Sequence, residues 1–324
     1  PFPPFSPSCP GLRTETRDHD TPCSPSVYNR GSGTIPAPED SNHMLRHILI
    51  ATTAIILALP AAAGELVLPV FAHNLEGRDG TIWSSEIYLT NPGDQPVLVE
   101  IDRFLPGRID KPTPCDLFMP PTRVVPPQSA AVWTAAGLAT DLGCADSARG
   151  GLVLRADGPV HITSRLVHLG GRENSAGAAT VLSGRGEAFE AIPIDRLPSA
   201  GTHLLPALMW HRQPCTEPSF DTVLGFANPG REPVQVVLDV PHERARAVTL
   251  NGHIVTLPYA FQIGGERWRQ YTLRPIADDD APCGDMESFL VRVETNAPLA
   301  FYGSVIDRRS GDPRTVSPVT LREE

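Results

Sequence analysis

Residues 80–101 read GTIWSSEIYLTNPGDQPVLVEI, and this stretch decides the fold class. Its apolar side chains fall on alternate positions, namely Trp83, Ile87 and Leu89 before the Asn-Pro-Gly turn and Val97, Val99 and Ile101 after it. Alternation of this kind is typical of β-strands, because successive side chains of a strand point to opposite faces. Asn91 is held extended by the proline that follows it and Gly93 is free to adopt positive φ, so the chain is predicted to turn between two strands.

The same pattern returns at residues 220–238, which read FDTVLGFANPGREPVQVVL. The second Asn-Pro-Gly, at residues 228–230, lies 137 residues after the first. At the same spacing the apolar positions align as Trp83 with Phe220, Ile87 with Leu224, Leu89 with Phe226 and Val97 with Val234. The sequence therefore predicts an internal duplication that gives two superposable domains.

Short strands are predicted throughout both copies. Each copy holds about seven alternating segments separated by turn residues, the pattern of an immunoglobulin-like sandwich. Helical periodicity is convincing only from Ala135 to Leu142. Asn251-Gly252 predicts a two-residue hairpin, and Asp157-Gly158 and Asn296-Ala297 are also expected to join two strands as hairpins. The predicted fold is all-β, with two tandem immunoglobulin-like β-sandwich domains related by the duplication.

The N-terminal region is not expected to belong to this fold. Residues 1–43 carry nine prolines and little apolar periodicity, so we expect a disordered segment or one that is not translated in the cell. After Met44, a basic Arg46, an apolar run at residues 48–59 and the alanines at 61–63 read together as a secretory signal peptide. The apolar run is shorter than the roughly 20 residues that a membrane-spanning helix needs. Cleavage is predicted near Ala63.

The remaining chain is long enough for two domains of ordinary size, predicted at residues 64–190 and 191–324. The net charge of the full sequence is −10, which argues against a nucleic-acid partner. We expect no membrane span in the mature chain, and a location outside the cell, in the periplasm or at the cell surface. The expected partner there is a protein or a carbohydrate.

Two motifs carry a resemblance to known proteins. They are the corner Asn-Pro-Gly-x-x-Pro-Val followed by alternating valines, and Arg-Ser-Gly-Asp-Pro at residues 309–313 after the last long strand. Together they resemble secreted bacterial proteins made of tandem immunoglobulin-like domains, over roughly residues 66–319. The resemblance implies the fold and says almost nothing about activity, because such sandwiches host unrelated functions. The first copy reads Gly-Arg-Glu-Asn-Ser-Ala at residues 171–176 in place of the second motif, so the terminal hairpins are expected to differ.

Motifs that carry catalysis or cofactors are absent from the sequence. There is no nucleophile elbow, phosphate-binding glycine loop, Cys-x-x-Cys or zinc-binding His-Glu-x-x-His. His242-Glu243 lacks a second histidine, and the aspartates at residues 278–280 with Asp285 lack the spacing of a calcium loop. His161 and His168 flank Ser164, but seven residues along one strand place the two rings on opposite faces. We therefore predict no catalytic, cofactor-binding or metal site.

The four tryptophans could form a platform for sugar rings. Trp83 and Trp133 align with the aromatic residues Phe220 and Tyr271 at strand positions, which favours core roles for both. Trp210 and Trp268 have no aromatic counterpart in the other copy and are the candidates for exposure.

Four of the six cysteines, Cys115, Cys144, Cys215 and Cys283, follow the signal peptide. Export to an oxidising compartment makes disulfides the expected state. Cys144 and Cys283 occupy equivalent positions in separate domains, so they should not meet. The crossed pairing of the four would require both ends of both domains to touch. The prediction is therefore Cys115 with Cys144 and Cys215 with Cys283.

The function expected from these observations is that of a secreted or cell-envelope, non-catalytic binding or structural protein. One alternative is a carbohydrate-binding accessory module, which requires exposed coplanar aromatic rings. The other is a hydrolase whose loops assemble paired carboxylates or a Ser-His pair.

Overall fold

The computed structural model describes residues 62–76, 82–107, 115, 120–144, 147–169, 186–211, 220–241, 247–275, 286–307 and 313–321. All of them belong to one compact unit, Pro60–Glu324. Cys215, Cys283, His242-Glu243, the acidic residues at 278–285 and nearly all of the N-terminal region lie outside the described residues.

The first half of the described chain contains nine strands and one α-helix. They are β1 (Ala62–His73), β2 (Leu75–Glu76), β3 (Ile82–Asn91), β4 (Val97–Pro106), β5 (Thr122–Val125), β6 (Ser129–Trp133), α1 (Ala135–Asp141), β7 (Ala148–Leu169), β8 (Gly186–Glu190) and β9 (Ile192–Pro193). A 3-10 turn, Ile194–Arg196, leads to the second half.

The second half is built entirely from strands in the residues that the structure describes. They are β10 (Gly201–His211), β11 (Phe220–Asn228), β12 (Val234–Asp239), β13 (Ala247–Leu250), β14 (His253–Thr256), β15 (Tyr259–Ile263), β16 (Arg267–Pro275), β17 (Met286–Thr295), β18 (Ala300–Asp307), β19 (Pro313–Val316) and β20 (Val319–Thr320). The all-β prediction is confirmed. Among the described residues, no helix combines the length and the apolar character that a membrane crossing requires.

Each half consists of two antiparallel layers. In the second half, one sheet has the order β15-β12-β17-β10-β20 and the other β14-β13-β16-β11-β18-β19. In the first half, β7 belongs to both layers, because its N-terminal part pairs with β1 and β4 and its C-terminal part pairs with β3 and β8. Apolar side chains from both layers pack into one core in each half, as in sheets that are stacked face to face.

The asparagine side chain holds the first Asn-Pro-Gly corner in place. Asn91 Nδ2 donates to the carbonyl oxygens of Gln95, Val125 and Pro126 at 2.7, 3.1 and 3.2 Å. Its Oδ1 accepts the backbone N–H of Gly93 at 2.9 Å. Gly93 does not use its freedom to adopt positive φ, since it is not among the described glycines that have it. A Cβ at Gly93 would lie 3.2 Å from Asn91 Oδ1, so glycine leaves room for the amide.

The hairpins predicted at Asp157-Gly158 and Asn296-Ala297 are also wrong. β7 is continuous through Asp157, whose Oδ1 accepts the backbone N–H of Leu98 at 2.7 Å. In the second half, β17 pairs with β10 and β12, whereas β18 pairs with β11 and β19, so the chain crosses between layers near Asn296. The turn residues bind a neighbouring strand through their side chains instead of reversing the chain.

Two other local predictions are confirmed. Asn251 and Gly252 adopt φ of 51° and 84° and join β13 to β14, as the hairpin signal requires. The single predicted helix is α1, where Thr134 Oγ1 accepts the backbone N–H of Gly137 at 3.3 Å as an N-cap. Positive φ at Gly143 then follows the end of this helix.

The division predicted between residues 64–190 and 191–324 stays a prediction. Ile192 and Pro193 form β9, which pairs with Val67 and Leu66 of β1. β9 therefore belongs to the first half, and the connection between the halves follows it.

Candidate functional site

The two tryptophans proposed for exposure do not form a sugar platform in the described structure. Trp268 is 3% exposed, so a platform built on it is wrong. The side chain of Trp210 lies outside the described part of the molecule. Trp133 packs in the first-half core and is also 3% exposed, which confirms its predicted core role.

Of the two histidines around Ser164, His161 is not brought together with it. β7 runs along β3 from residue 161 to residue 169 without a register shift, so His161 and Ser164, three residues apart, occupy opposite faces. The side chain of His168 lies outside the described part of the molecule. Ser164 is fully buried, and its Oγ has no hydrogen-bond partner among the described residues. The same residues contain no group of three or more His, Cys, Asp or Glu that could hold a metal ion.

One of the two predicted cysteine pairs falls within the described residues. The Sγ atoms of Cys115 and Cys144 lie within bonding distance. α1 positions Cys144, whose backbone N–H donates to the carbonyl oxygen of Ala139 at 2.9 Å. Cys215 and Cys283 lie outside the described residues, so the complete pairing stays a prediction.

The two halves meet along two apolar clusters, which we call the junction. Its buried members are Val67, Val70, Leu105, Val153 and Phe189 of the first half, Ala227, Trp268, Ala300 and Tyr302 of the second, and Leu197 between them. As a result, residues 66–72 of β1 and 222–228 of β11 are buried on both faces. A strand of a sheet that faces water on one side would alternate instead.

Trp268 fixes the centre of the junction. Its Nε1 donates to the carbonyl oxygen of Pro69 at 2.7 Å, a hydrogen bond between the halves. The indole also lies against Gly107, where an added Cβ would come within 2.8 Å of the ring. Trp268 therefore satisfies its polar N–H inside an apolar interface.

Tyr302 occupies the second cluster. Its ring meets that of Phe189 edge to face, with centroids 4.9 Å apart. On the neighbouring strand the ring lies over Gly225, where any side chain would collide with it. Glycine at this position thus makes room for an aromatic residue that packs against the other half.

A buried carboxyl group of the first half accepts hydrogen bonds from the second half beside Tyr302. Glu187 of β8 is 5% exposed. It accepts hydrogen bonds from Ser304 Oγ at 2.9 Å and from Thr315 Oγ1 at 2.7 Å, both in the second half. Burial raises the pKa of Glu187 to about 7, although the two hydroxyl donors lower it. Burial and the nearby Glu187 both raise the pKa of Tyr302.

Strand pairing allows positions 137 residues apart, the spacing of the sequence repeat, to be compared. On the first-half side of the junction, Val67 pairs with Val153 and Ile192. Leu204, 137 residues later, pairs with Arg292 and Val319. This surface of the second half, which we call the β10 face, therefore carries an arginine where the junction carries a valine.

The other side of the junction shows the same contrast. Ala227 pairs with Trp268 and Ala300. Thr90, which lies 137 residues before Ala227, pairs with Ala130 and His161, and Thr90 and Ala130 are exposed. We call this polar surface the β3 face. The apolar face of each half packs in the junction. The β10 and β3 faces, which are more polar, face the solvent.

Ion pairs line one edge of the junction on the first half. Arg155 contacts Glu65 at 3.0 Å and Asp102 at 2.9 Å. Arg103 contacts Asp102 at 3.3 Å, and Glu266 of the second half at 4.0 Å. An open cavity of ≈ 280 Å³ lies beside Arg155. Most of these charged side chains pair with a neighbour of opposite charge. We therefore interpret the region as a solvated rim of the junction and assign no ligand site to it.

Half-buried aromatic rings in the second half are a feature that the sequence analysis missed. They belong to Tyr259, Phe261 and Tyr271, which pack against the second-half core. A comparison at the 137-residue spacing of the sequence repeat could have found them, because Pro121 and Arg123 lie beside β4 as Tyr259 and Phe261 lie beside β12.

Comparisons with known proteins add no relative to this picture: no family model, no curated protein and no solved structure matches the chain.

Proposed function

We propose that the chain is an exported, non-catalytic binding or structural protein, in which two copies of one immunoglobulin-like β-sandwich are fixed face to face. The mature protein would act in the periplasm, at the cell surface or outside the cell. Its two halves would present a single rigid body to a partner.

Matched strand pairing supports the duplication. β1 pairs with β7 and β9, as β10 pairs with β17 and β20. The second corner also repeats the first, because Asn228 Nδ2 donates to the carbonyl oxygens of Glu232, Ile263 and Gly264 at 2.8, 3.3 and 3.0 Å. Its Oδ1 accepts the N–H of Gly230 at 3.0 Å.

The immunoglobulin likeness is supported by the central strands of each half. The pairs β11–β16 and β12–β17 correspond to the B–E and C–F pairs of an immunoglobulin domain. The outer strands differ: β10 pairs with β17 instead of β11, and β18 pairs with β11 instead of β17. We therefore propose an immunoglobulin-like sandwich with its first and last strands exchanged between the layers.

The junction is the observation that carries the proposal. Domains of one chain move relative to each other by default unless their interface is large and apolar. Here the interface holds two apolar clusters, a tryptophan hydrogen bond and a buried carboxyl group. A chain that evolved merely to link two independent domains would not need to bury Glu187 and Trp268 between them.

The separation of His161 from Ser164 supports a non-catalytic role. Ser164 is buried and its Oγ makes no hydrogen bond to Glu187, which is held by two hydroxyl groups in the junction. Strand alternation places His161 on the opposite face of β7 from Ser164. A hydrolase would need such groups to converge on one substrate atom.

Small-angle X-ray scattering tests the rigid body. We expect one compact particle, with the same radius of gyration at low and high salt. The Trp268→Ala variant should expand, whereas Ile254→Ala, at a side chain that is 72% exposed outside the junction, should not. A scattering curve of the unmodified protein that requires two freely moving domains would contradict the proposal.

Export and activity need separate measurements. Mass spectrometry of the exported protein should give an N-terminus near Gly64, which would leave Leu66 and Leu68 of β1 in the core. Retention of residues 1–63 would exclude cleavage near Ala63. Turnover of chromogenic ester, peptide or glycoside substrates that is lost on Ser164→Ala or His161→Ala, with folding intact, would favour the hydrolase instead.

A further inference from the structure

Three aromatic rings of the second half lie between an edge strand of one layer and a strand of the other layer. β15 is the last strand of one sheet, and β16 belongs to the other. Tyr259 and Phe261 alternate with the exposed Ala260 and Gln262 along β15 and pack with the core residues. Tyr271 of β16 joins them from the opposite layer, and we call these three residues the aromatic cluster.

The rings of the cluster form a connected surface. Tyr259 and Phe261 lie nearly parallel, with centroids 5.8 Å apart and an interplanar angle of 25°. Tyr271 meets Phe261 edge to face at 5.0 Å. Beneath them, Phe226 contacts both Phe261 and Tyr271 at 5.5 and 6.1 Å, so the cluster rests on the rigid core.

The first half closes the same place without such rings. Pro121 and Arg123 lie beside β4 as Tyr259 and Phe261 lie beside β12. Pro121 is buried there and Arg123 is exposed. The first half therefore has no aromatic residue at these two positions, and the cluster is a feature of the second half.

Polar groups border the cluster. Arg269 of β16 is exposed and lies near the phenol of Tyr271. Burial raises the pKa of Tyr271, whereas Arg269 lowers it. The phenol of Tyr259 also acts electrostatically on that of Tyr271, so two hydroxyl groups and a guanidinium lie near one apolar surface.

We propose that the aromatic cluster binds pyranose rings of a glycan chain, with Tyr259 and Phe261 as the stacking surface. A pyranose offers an apolar C–H face to an aromatic ring and hydroxyl groups to phenols and a guanidinium, which the cluster supplies together. Nucleic-acid bases would also stack, but the net charge of −10 opposes a polyphosphate. This inference deepens the binding function proposed above and rests on it.

Native affinity electrophoresis of the exported protein tests the site. The gels contain laminarin or xylan as neutral glycans, polygalacturonate as an acidic one, or no polysaccharide. We expect a neutral glycan to retard the protein. Tyr259→Ala should weaken the apparent affinity about tenfold or more, and Arg269→Gln should weaken it less.

Ile254→Ala serves as the matched control, because this side chain is 72% exposed in the same half and lies outside the cluster. It should be retarded like the unmodified protein, and thermal unfolding checks that each variant is folded. Absence of retardation in both neutral glycans, or equal retardation of folded Tyr259→Ala, would overturn the proposal. Retardation in polygalacturonate alone would also overturn it, since charge would then explain binding. The scattering test of the rigid body is independent of all these outcomes.

Discussion

Trp268 and Pro69 lie 199 residues apart in the chain and are joined by a 2.7 Å hydrogen bond between the two halves. The bond places a donor of the second half on a backbone acceptor of β1, at a point where both are excluded from water. Because the surrounding side chains are apolar, an unpaired indole N–H or carbonyl there would lose its hydration without replacement.

Replacing Trp268 should separate the apolar contribution from the polar one. Trp268→Phe keeps most of the ring but leaves the buried carbonyl oxygen of Pro69 unpaired, so it is expected to cost about 2–3 kcal/mol. Trp268→Ala should cost about 3–5 kcal/mol, as for other large buried residues. Urea unfolding measures both. An unchanged midpoint in Trp268→Ala would show that the junction does not stabilise the fold.

Glu187 should make stability fall as pH rises. Its pKa is about 7 in the folded state and near the ordinary value of 4.5 in the unfolded chain. Between these values the folded state holds more protons than the unfolded one, so stability is greatest below pH 4.5 and is lost progressively toward pH 7. The difference corresponds to about 3 kcal/mol. Tyr302 also faces this carboxyl group, and its raised pKa keeps it neutral throughout that range.

The Glu187→Gln variant is the control for this pH dependence, because it keeps polar atoms toward Ser304 and Thr315 and removes the titration. Urea unfolding between pH 4 and pH 8 should show a flatter profile for the variant than for the unmodified protein. If the two profiles have the same slope, the pH dependence arises elsewhere in the molecule.

Asn91 and Asn228 should respond alike to substitution. Each side chain makes three hydrogen bonds to carbonyl oxygens and accepts one backbone N–H. Alanine at either position would leave buried backbone groups without partners, which costs about 2–3 kcal/mol. Thermal and urea unfolding of the two single variants check this. A large loss at one site and none at the other would argue against equivalent corners.

The unmodified protein should stay monomeric at high concentration, because stacking the β3 face on the β10 face would bring like charges together. Stacking a second copy as the halves are stacked would replace Glu187 with Arg314 and Ser304 with Arg165. Two arginines would then face each other. Light scattering coupled to size exclusion should give one mass from micromolar to millimolar protein.

Removing the charge of one of these arginines and reversing that of the other provides the complementary experiment. The double variant Arg165→Ser with Arg314→Glu should associate more than the unmodified protein, whereas Arg123→Ser, at an exposed arginine of β5, should not. Concentration-dependent oligomers of the unmodified protein would refute the idea that these arginines block stacking.

Peptide mapping without reduction addresses the cysteines. We expect linked peptides for Cys115 with Cys144 and for Cys215 with Cys283. The closeness of Cys115 and Cys144 supports the first link. A linked peptide that joins Cys115 to Cys215 or to Cys283, or four free thiols in the exported protein, would contradict the assignment.

Local patterns in the sequence predicted the strands and the corners, because alternation and Asn-Pro-Gly act within a few residues. They did not predict the junction, which depends on what covers the second face of each sheet. A signal was nevertheless present: residues 85–90 of β3 read Ser-Glu-Ile-Tyr-Leu-Thr, whereas residues 222–227 of β11 read Thr-Val-Leu-Gly-Phe-Ala, without polar residues between the apolar ones. Comparing the two repeats of the sequence position by position would have marked β11 as buried on both sides.

The turns were predicted least well, because residues typical of a turn did not always reverse the chain. Asp157-Gly158 has the residues of a hairpin, yet the chain continues straight because β7 has partners in both layers. Glu187 could not be recognised either, since a lone carboxylate in a short strand is ordinarily solvated. Its burial follows from Ser304 and Thr315, which lie more than 100 residues away.

β7 gives the first half a mechanical property that the second half lacks. A single backbone of 22 residues ties both layers together, whereas β17 and β18 are connected through residues 296–299 outside either strand. Under tension, β7 must be sheared from β1, β3 and β4 together, and it transmits the load to both layers at once. The second half can instead open at its crossover, so the first half is the stiff element and the second is where the chain should yield when it is pulled.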